Sequence, residues 1–138
     1  MSQQEQIIEL NTITRCKLAP SKIHGIGVFA IRDIYKGQKC YLSPPTSPKF
    51  YHIPYGSINK LFPEVKELVL ERWPSIVNGS YILCPNDMVF LITYLNHSDE
   101  PNYDKFTDTA IKDIKKGEEV TQDYRIMMNY KEIYPWLK

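Results

Sequence analysis

Two side chains able to hold a ligand sit together where an apolar run ends. Asn96 carries an amide that both donates and accepts, and His97 can bury its ring while offering a backbone carbonyl. Such a pair could bracket a purine and its ribose or amino-acid tail. They follow Tyr94-Leu95 and lead into Ser98-Asp99-Glu100-Pro101-Asn102, whose last two residues are turn formers. A second candidate closes the segment Gly117-Glu118-Glu119-Val120-Thr121-Gln122-Asp123-Tyr124. The Tyr124 hydroxyl can accept and donate hydrogen bonds at a reacting centre, and a nearby cation makes its ionised form more accessible. A third is the glycine loop His24-Gly25-Ile26-Gly27, continued by Val28-Phe29-Ala30. Its spacing satisfies a dinucleotide fingerprint, but that fingerprint needs a following helix and an acidic residue about 20 positions on. Here a strand-forming segment and a turn follow, and the later stretch is proline-rich. The glycines are better suited to letting the backbone approach another ligand closely.

Metal and redox chemistry find no such support. His24, His52 and His97 lack metal-ligand spacing, and Cys16, Cys40 and Cys84 are odd in number, far apart and without a C-x-x-C pair. No metal is expected, and a reducing cytoplasm fits the cysteines best. The net charge is +1, from 17 basic and 16 acidic residues mixed along the chain, so no basic face for direct nucleic-acid binding is evident. The polar start Met1 to Gln6 has neither the basic opening nor the apolar core of a signal peptide, and no run reaches membrane-spanning length. These features predict a soluble, cytoplasmic protein with no membrane partner.

The elements that must position these residues are marked by a repeat. Ala30-Ile31-Arg32-Asp33-Ile34-Tyr35-Lys36-Gly37 returns 80 residues later as Ala110-Ile111-Lys112-Asp113-Ile114-Lys115-Lys116-Gly117. In each copy a β-branched segment precedes a lysine-glycine turn and a short strand, Gln38 to Leu42 in one and Glu119 to Thr121 in the other. Both glycines suit a turn position with positive φ, and the two copies are expected to pack as related halves of a β-fold. Between them, Leu61, Val65, Leu68, Val69 and Trp73 recur at helical spacing, with Pro63 suited to a first turn and Pro74 ending the pattern. Residues 62 to 73 therefore read as an amphipathic helix whose stripe is core. Asp87 suits an N-cap for the run Met88 to Leu95, a short buried helix or a strand, and Pro44, Pro45, Pro48 and Pro54 mark a loop. With 138 residues, ten prolines and ten tyrosines, the chain reads as one domain of many short strands, not a helical bundle.

Taken together, the glycine loop, the Asn96-His97 segment and the Gly117–Tyr124 segment resemble, in that order and at those distances, the signature of SET-domain protein lysine methyltransferases. The resemblance covers roughly residues 14 to 124. It implies a mainly β fold with short helices, the β-clip or SET-like fold, with several small sheets and a pseudoknot near the C-terminus. It also implies an S-adenosylmethionine site at His24, Gly25, Ile26, Gly27, Asn96 and His97. Tyr124 would be the catalytic residue, touching cofactor as well and standing at the inner end of a channel for a substrate lysine, to which Tyr41, Tyr94 and Gln122 are assigned. Cofactor and lysine of a protein or peptide would enter from opposite faces and meet in line for methyl transfer to nitrogen. Only the neutral amine attacks, and neutralising a lysine at pH 7 costs about 4–5 kcal/mol. A dry aromatic channel and a neighbouring sulfonium would lower that cost.

Two departures bear on function. Relatives with a cysteine-rich tail carry a zinc-binding cysteine where Asp99 stands, and here cysteine and tail are both missing. The segment from Ile126 to Lys138, with Tyr130, Tyr134 and Trp136, is then the expected lid, Trp136 covering the cofactor. Gln122 replaces the usual phenylalanine or tyrosine two residues before the catalytic tyrosine, a position that affects how many methyl groups are added. A noncatalytic SET-like binding module and methyl transfer to a non-lysine acceptor are the alternatives, and a monomer and a homodimer are equally open.

Overall fold

Ser2 accepts the Glu5 N–H at 3.1 Å and so caps the first helix, α1 (Gln3–Ile13). This helix lies before the segment taken above as core. Its signal is the Ser-x-x-Glu capping pair ahead of Ile7 and Leu10, which turn inward. The computed structural model describes residues 2–43, 51–72, 76–77, 79–83, 91–126 and 130–138. After α1 come β1 (Cys16–Pro20), β2 (Ile26–Ala30), β3 (Tyr51–Pro54), a 3-10 turn at Tyr55–Lys60, α2 (Pro63–Arg72), β4 (Ile76–Val77) and β5 (Ser80–Leu83). A 3-10 turn at Leu91–Tyr94 then leads into β6 (Asn96–His97), β7 (Tyr103–Asp104), β8 (Thr109–Ala110) and β9 (Glu119–Gln122), followed by a 3-10 turn at Tyr124–Ile126 and α3 (Tyr130–Ile133).

The strands form small sheets in the orders β1-β2-β9-β6, β3-β5-β4 and β7-β8. The mainly β architecture with short helices is thus the one the sequence implied. In the first sheet β9 pairs antiparallel with β2, Val28 opposite Val120, and parallel with β6, Asn96 opposite Thr121. Strands remote in sequence flank β9 on both edges, the pairing that a chain crossing near the C-terminus requires.

The repeat packs reciprocally. Ile34 and Ile114 exchange backbone hydrogen bonds of 2.8 and 2.7 Å. Gly37 donates to the Ala110 carbonyl and Gly117 to the Ala30 carbonyl, both at 2.8 Å. Asp113 accepts the Lys36 N–H and Asp33 accepts the Lys116 N–H, again both at 2.8 Å. Gly37 at φ +87° and Gly117 at φ +89° occupy the left-handed turn position that a side chain resists. Each copy therefore supplies to the other the partners that it receives.

Two apolar clusters flank this arrangement. One joins Val28, Ala30, Ile34, Leu42, Leu95, Tyr103, Ile114 and Val120 around the repeat. The other joins Ile7, Leu10, Tyr51, Ile53, Leu61, Val65, Leu68 and Val69, with the expected stripe of α2 turned inward. Buried Asn11 ties α1 to the start of α2 by accepting the Phe62 N–H at 2.9 Å. Cys16 and Cys40 are buried free thiols, and burial first raises both, Cys40 to about 12.

Some expectations need correcting. The strand expected at Gln38 to Leu42 is reduced to a single bridge, Lys39 to Thr109, because Tyr41 at φ +58° leaves extended geometry. Pro54 ends β3 instead of marking a loop, where its missing N–H breaks no ladder. Leu91–Tyr94 is a 3-10 turn and not a strand. Pro44, Pro45, Pro48, Trp73, Pro74, Cys84, Asp87 and Met88 lie outside the described residues.

The reciprocal caps predict matched losses: Asp33→Ala and Asp113→Ala should each lower unfolding stability by about 1 kcal/mol in urea denaturation. A large loss in one variant with none in the other would contradict the two-way exchange.

Candidate active site

The glycine loop is tied down by a carboxylate. Asn96 Nδ2 lies 2.8 Å from Glu119 Oε2, 3.0 Å from the His24 carbonyl, 3.1 Å from Ser21 Oγ and 3.4 Å from the Ile26 carbonyl. Ser21 Oγ donates to Glu119 Oε1 at 2.7 Å and accepts the Ile23 N–H at 2.9 Å. Glu119 thus receives donors from both the loop and β6. A Cβ on Gly27 would stand 2.4 Å from Glu119 Oε2, so a side chain there would displace the carboxylate from this position. The close approach inferred at Gly27 is therefore made to a carboxylate of the chain itself. Ser21 and Glu119 carry this arrangement, and the sequence reading gave neither a role, since their contacts span 98 residues.

The expected turn former Asn102 does more than turn. Its Nδ2 donates to the Glu119 carbonyl at 2.9 Å, its Oδ1 accepts the Thr121 N–H at 2.8 Å, and its own N–H reaches the Thr121 carbonyl at 3.3 Å. Ser98 N–H adds a bond of 3.0 Å to the Gln122 carbonyl. Residues 96 to 102 therefore clasp β9 along its length and fix where Tyr124 emerges.

Tyr124 and His97 hold each other. His97 Nδ1 accepts the Tyr124 N–H at 3.0 Å, which leaves the ring proton on Nε2 to be donated to Asp99 Oδ1 at 3.0 Å. The Tyr124 hydroxyl donates to the Leu95 carbonyl at 2.7 Å. Burial first, then Tyr134 and Glu119, push this hydroxyl above its ordinary value, so it stays protonated at neutral pH. Its oxygen retains lone pairs with which to accept a further hydrogen bond.

The SET domain family model matches residues 25–125, most of the chain, including Gly27, Asn96, His97, Asn102, Glu119 and Tyr124. The chain belongs to the SET-domain family. That places it in a family of methyltransferases. Among solved structures, it is similar to a Plasmodium falciparum chain provisionally described as a histone methyltransferase, at 20% identity, covering 80% of this chain and 93% of that one. The TM-score of 0.36 is too low for that likeness to bear on the site. Comparison with curated proteins gives no match.

Beyond the matched residues of the SET domain the chain continues into an aromatic arm. Tyr134 stacks on Tyr124 with ring centroids 4.4 Å apart, and Trp136 stands edge-on to His97 at 6.1 Å and to Tyr124 at 6.4 Å. Trp136 remains 63% exposed. Arg125 fastens this arm: Nε reaches Asp123 at 2.9 Å, Nη2 reaches Asp99 at 2.8 Å and Nη1 reaches the Lys138 carbonyl at 3.3 Å. Asp99, where relatives with a cysteine-rich tail would bind zinc, here joins Arg125 and His97. Among the described residues no group of three or more His, Cys, Asp or Glu side chains could hold a metal ion.

The structure brings together His24, Gly25, Ile26, Gly27 and Asn96 at the loop, and His97, Tyr124 and Trp136 beside it. The residues assigned to the channel have different surroundings. Gln122 is buried, 4% exposed, with Oε1 lacking a partner among the described residues. Tyr94 ends its 3-10 turn half-exposed. Tyr41 lies under the Arg15 guanidinium, 5.3 Å from ring centroid to Cζ, and Arg15 also bonds the Thr12 and Lys39 carbonyls. Among the described residues no contact joins Tyr41 to the Tyr124 cluster.

The arm's fastening can be read by titration. The hydrogen bond from Arg125 first holds Asp123 below its ordinary 3.8. Its stabilising contribution is therefore complete above that ordinary value and lost as pH falls through the lower folded value. In Arg125→Met the carboxyl NMR midpoint of Asp123 should rise toward 3.8; an unmoved midpoint would contradict the pairing.

Proposed function

We propose that this SET domain is a protein-lysine N-methyltransferase using S-adenosylmethionine. The observation that carries the proposal is the convergence on β9: its first residue holds the glycine loop and Asn96, while the chain leaving its end places Tyr124 against His97 and the Leu95 carbonyl. A ligand touching the loop and one touching the Tyr124 hydroxyl would therefore lie close together.

The residues fit such a cofactor. Asn96 spends its amide hydrogens on the chain, which leaves Oδ1, unpartnered among the described residues, to accept from a ligand amine. Backbone groups of His24 to Gly27 border the same space, and the His97 and Trp136 rings supply apolar walls. When bound, S-adenosylmethionine supplies an electrophilic methyl group on a cationic sulfur. The chain's own part is to orient and to exclude water. Tyr124, fixed as a donor to Leu95, offers its oxygen to an incoming amine N–H. The buried Gln122 Oε1 offers another acceptor, and leaving it unpaired costs about 1–3 kcal/mol. An amine bearing hydrogens suits both groups, which favours a lysine acceptor, and Tyr94 and Gln122 are the proposed channel residues. Correct placement of nucleophile and donor can contribute about 7–11 kcal/mol at its upper limit.

The reading extends to a protein or peptide substrate in a cytoplasmic setting, with Trp136 over the donor and no direct nucleic-acid contact. Among the described residues no helix is long and apolar enough to cross a membrane. A second reading, a binding module without turnover, is favoured by one observation: Tyr134 covers a face of the Tyr124 ring.

Calorimetric titration with S-adenosylmethionine should show binding by wild type that Asn96→Ala abolishes. With labelled donor and a protein pool, Tyr124→Phe should lower methyl incorporation about 10²–10³-fold, the range for losing one positioned polar group. Incorporation unchanged in both variants would sink the proposed site, and binding without any incorporation would establish the second reading.

A further inference from the structure

The Glu119 carboxylate is the one charged group built into the glycine loop's anchorage. Its two oxygens take neutral donors, Ser21 Oγ at 2.7 Å and Asn96 Nδ2 at 2.8 Å, and no lysine or arginine among the described residues pairs with it. Lys22, on the same loop, is solvent-exposed. Glu119 fills the space a side chain on Gly27 would occupy, so its charge lies directly behind that backbone. The other carboxylates of the site differ, because Asp99 and Asp123 both meet Arg125. A half-buried charge answered only by dipoles leaves a negative potential in the space around it. Glu119 is also among the causes that raise the Tyr124 hydroxyl, so its field reaches the far side of the candidate site.

We infer that Glu119 is a specificity-determining residue that makes the pocket prefer a cationic methyl donor over its neutral demethylated product. The inference rests on the proposed S-adenosylmethionine reading and deepens it. S-adenosylmethionine and S-adenosylhomocysteine share their adenosine and amino-acid groups and differ by one methyl group and one positive charge on sulfur. A uniformly better-formed loop would strengthen both ligands alike. Attraction of an unpaired carboxylate to the α-ammonium is common to both ligands, so the carboxylate separates them only through the extra charge on sulfur. Hydrogen bonding and charge are therefore separable roles of the same side chain.

Glu119→Gln separates them. Its amide oxygen can still accept from Asn96 while the charge is removed, and the Ser21 Oγ donation that its NH2 cannot accept is the contact that Ser21→Ala tests alone. Ser21→Ala does the reverse, loosening the loop and keeping the charge. Calorimetry with S-adenosylmethionine and S-adenosylhomocysteine should show Glu119→Gln lowering the ratio of the two affinities about three- to tenfold, the scale of a unit charge acting across a partly solvated site. Ser21→Ala should weaken both ligands and leave the ratio unchanged. An equal loss of both ligands in Glu119→Gln, or an unchanged ratio, would overturn the inference while leaving the proposed cofactor in place. Failure of wild type to bind either ligand would overturn the cofactor reading and this inference with it. Should Glu119→Gln fail to fold, added salt should narrow the wild-type preference for the charged ligand, and a preference indifferent to salt would count against Glu119.

Discussion

The grip on a four-residue strand sets the rest of the site. β9 is paired on one edge to β2 and on the other to β6, and Asn102 adds three hydrogen bonds that involve no other segment. Side chains then alternate by the ordinary period of a strand. Val120 enters the apolar cluster, while Glu119 meets the loop and Asn96 at the strand's opening. A register slip of one residue would turn Glu119 away from Gly27 and Val120 away from the core. Site geometry and core packing are thus one constraint, which explains how so short a strand can place chemical groups accurately.

The repeat stabilises that strand from behind. The turn ending at Gly117 delivers the chain into β9, and it is held by groups of the first copy: the Ala30 carbonyl and the Asp33 carboxylate. The first copy's turn is held the same way by the second. Each turn therefore takes part of its hydrogen bonding from the other copy. Beyond β9 a different principle takes over. No described residue of the aromatic arm from 130 to 138 is buried, and the arm is attached by ring contacts to Tyr124 and His97 and by Arg125 spanning Asp99, Asp123 and Lys138. Exposed ion pairs of this kind contribute little individually.

Much of this was legible in the sequence, for physical reasons. The duplicated turn and the α2 stripe rest on local patterns that tertiary structure preserved, whereas the grouping of Asn96, His97 and Tyr124 was implied only by the resemblance of three separated motifs to a family. Other features were not. Glu119 looks like ordinary strand-edge acidity until Ser21, 98 residues away, donates to it. Asn102 reads as a turn residue because its three partners on β9 are visible only once the fold is formed. Tyr41 has the right type for an aromatic channel, but its left-handed backbone and its place under the Arg15 guanidinium depend on contacts made only in the folded chain. The α1 helix was available in the Ser2–Glu5 pair, masked by a polar N-terminus that reads as loop.

The most direct test is to follow backbone amide resonances as S-adenosylmethionine is added. Shifts concentrated at residues 21–27, 96–98, 124, 134 and 136 would show one donor pocket formed by the loop, the clasp and the arm, as this account predicts. Shifts confined elsewhere, such as the open cavity lined by Lys17, Phe29, Glu64, Glu67 and Lys116, or no shifts at all, would contradict it.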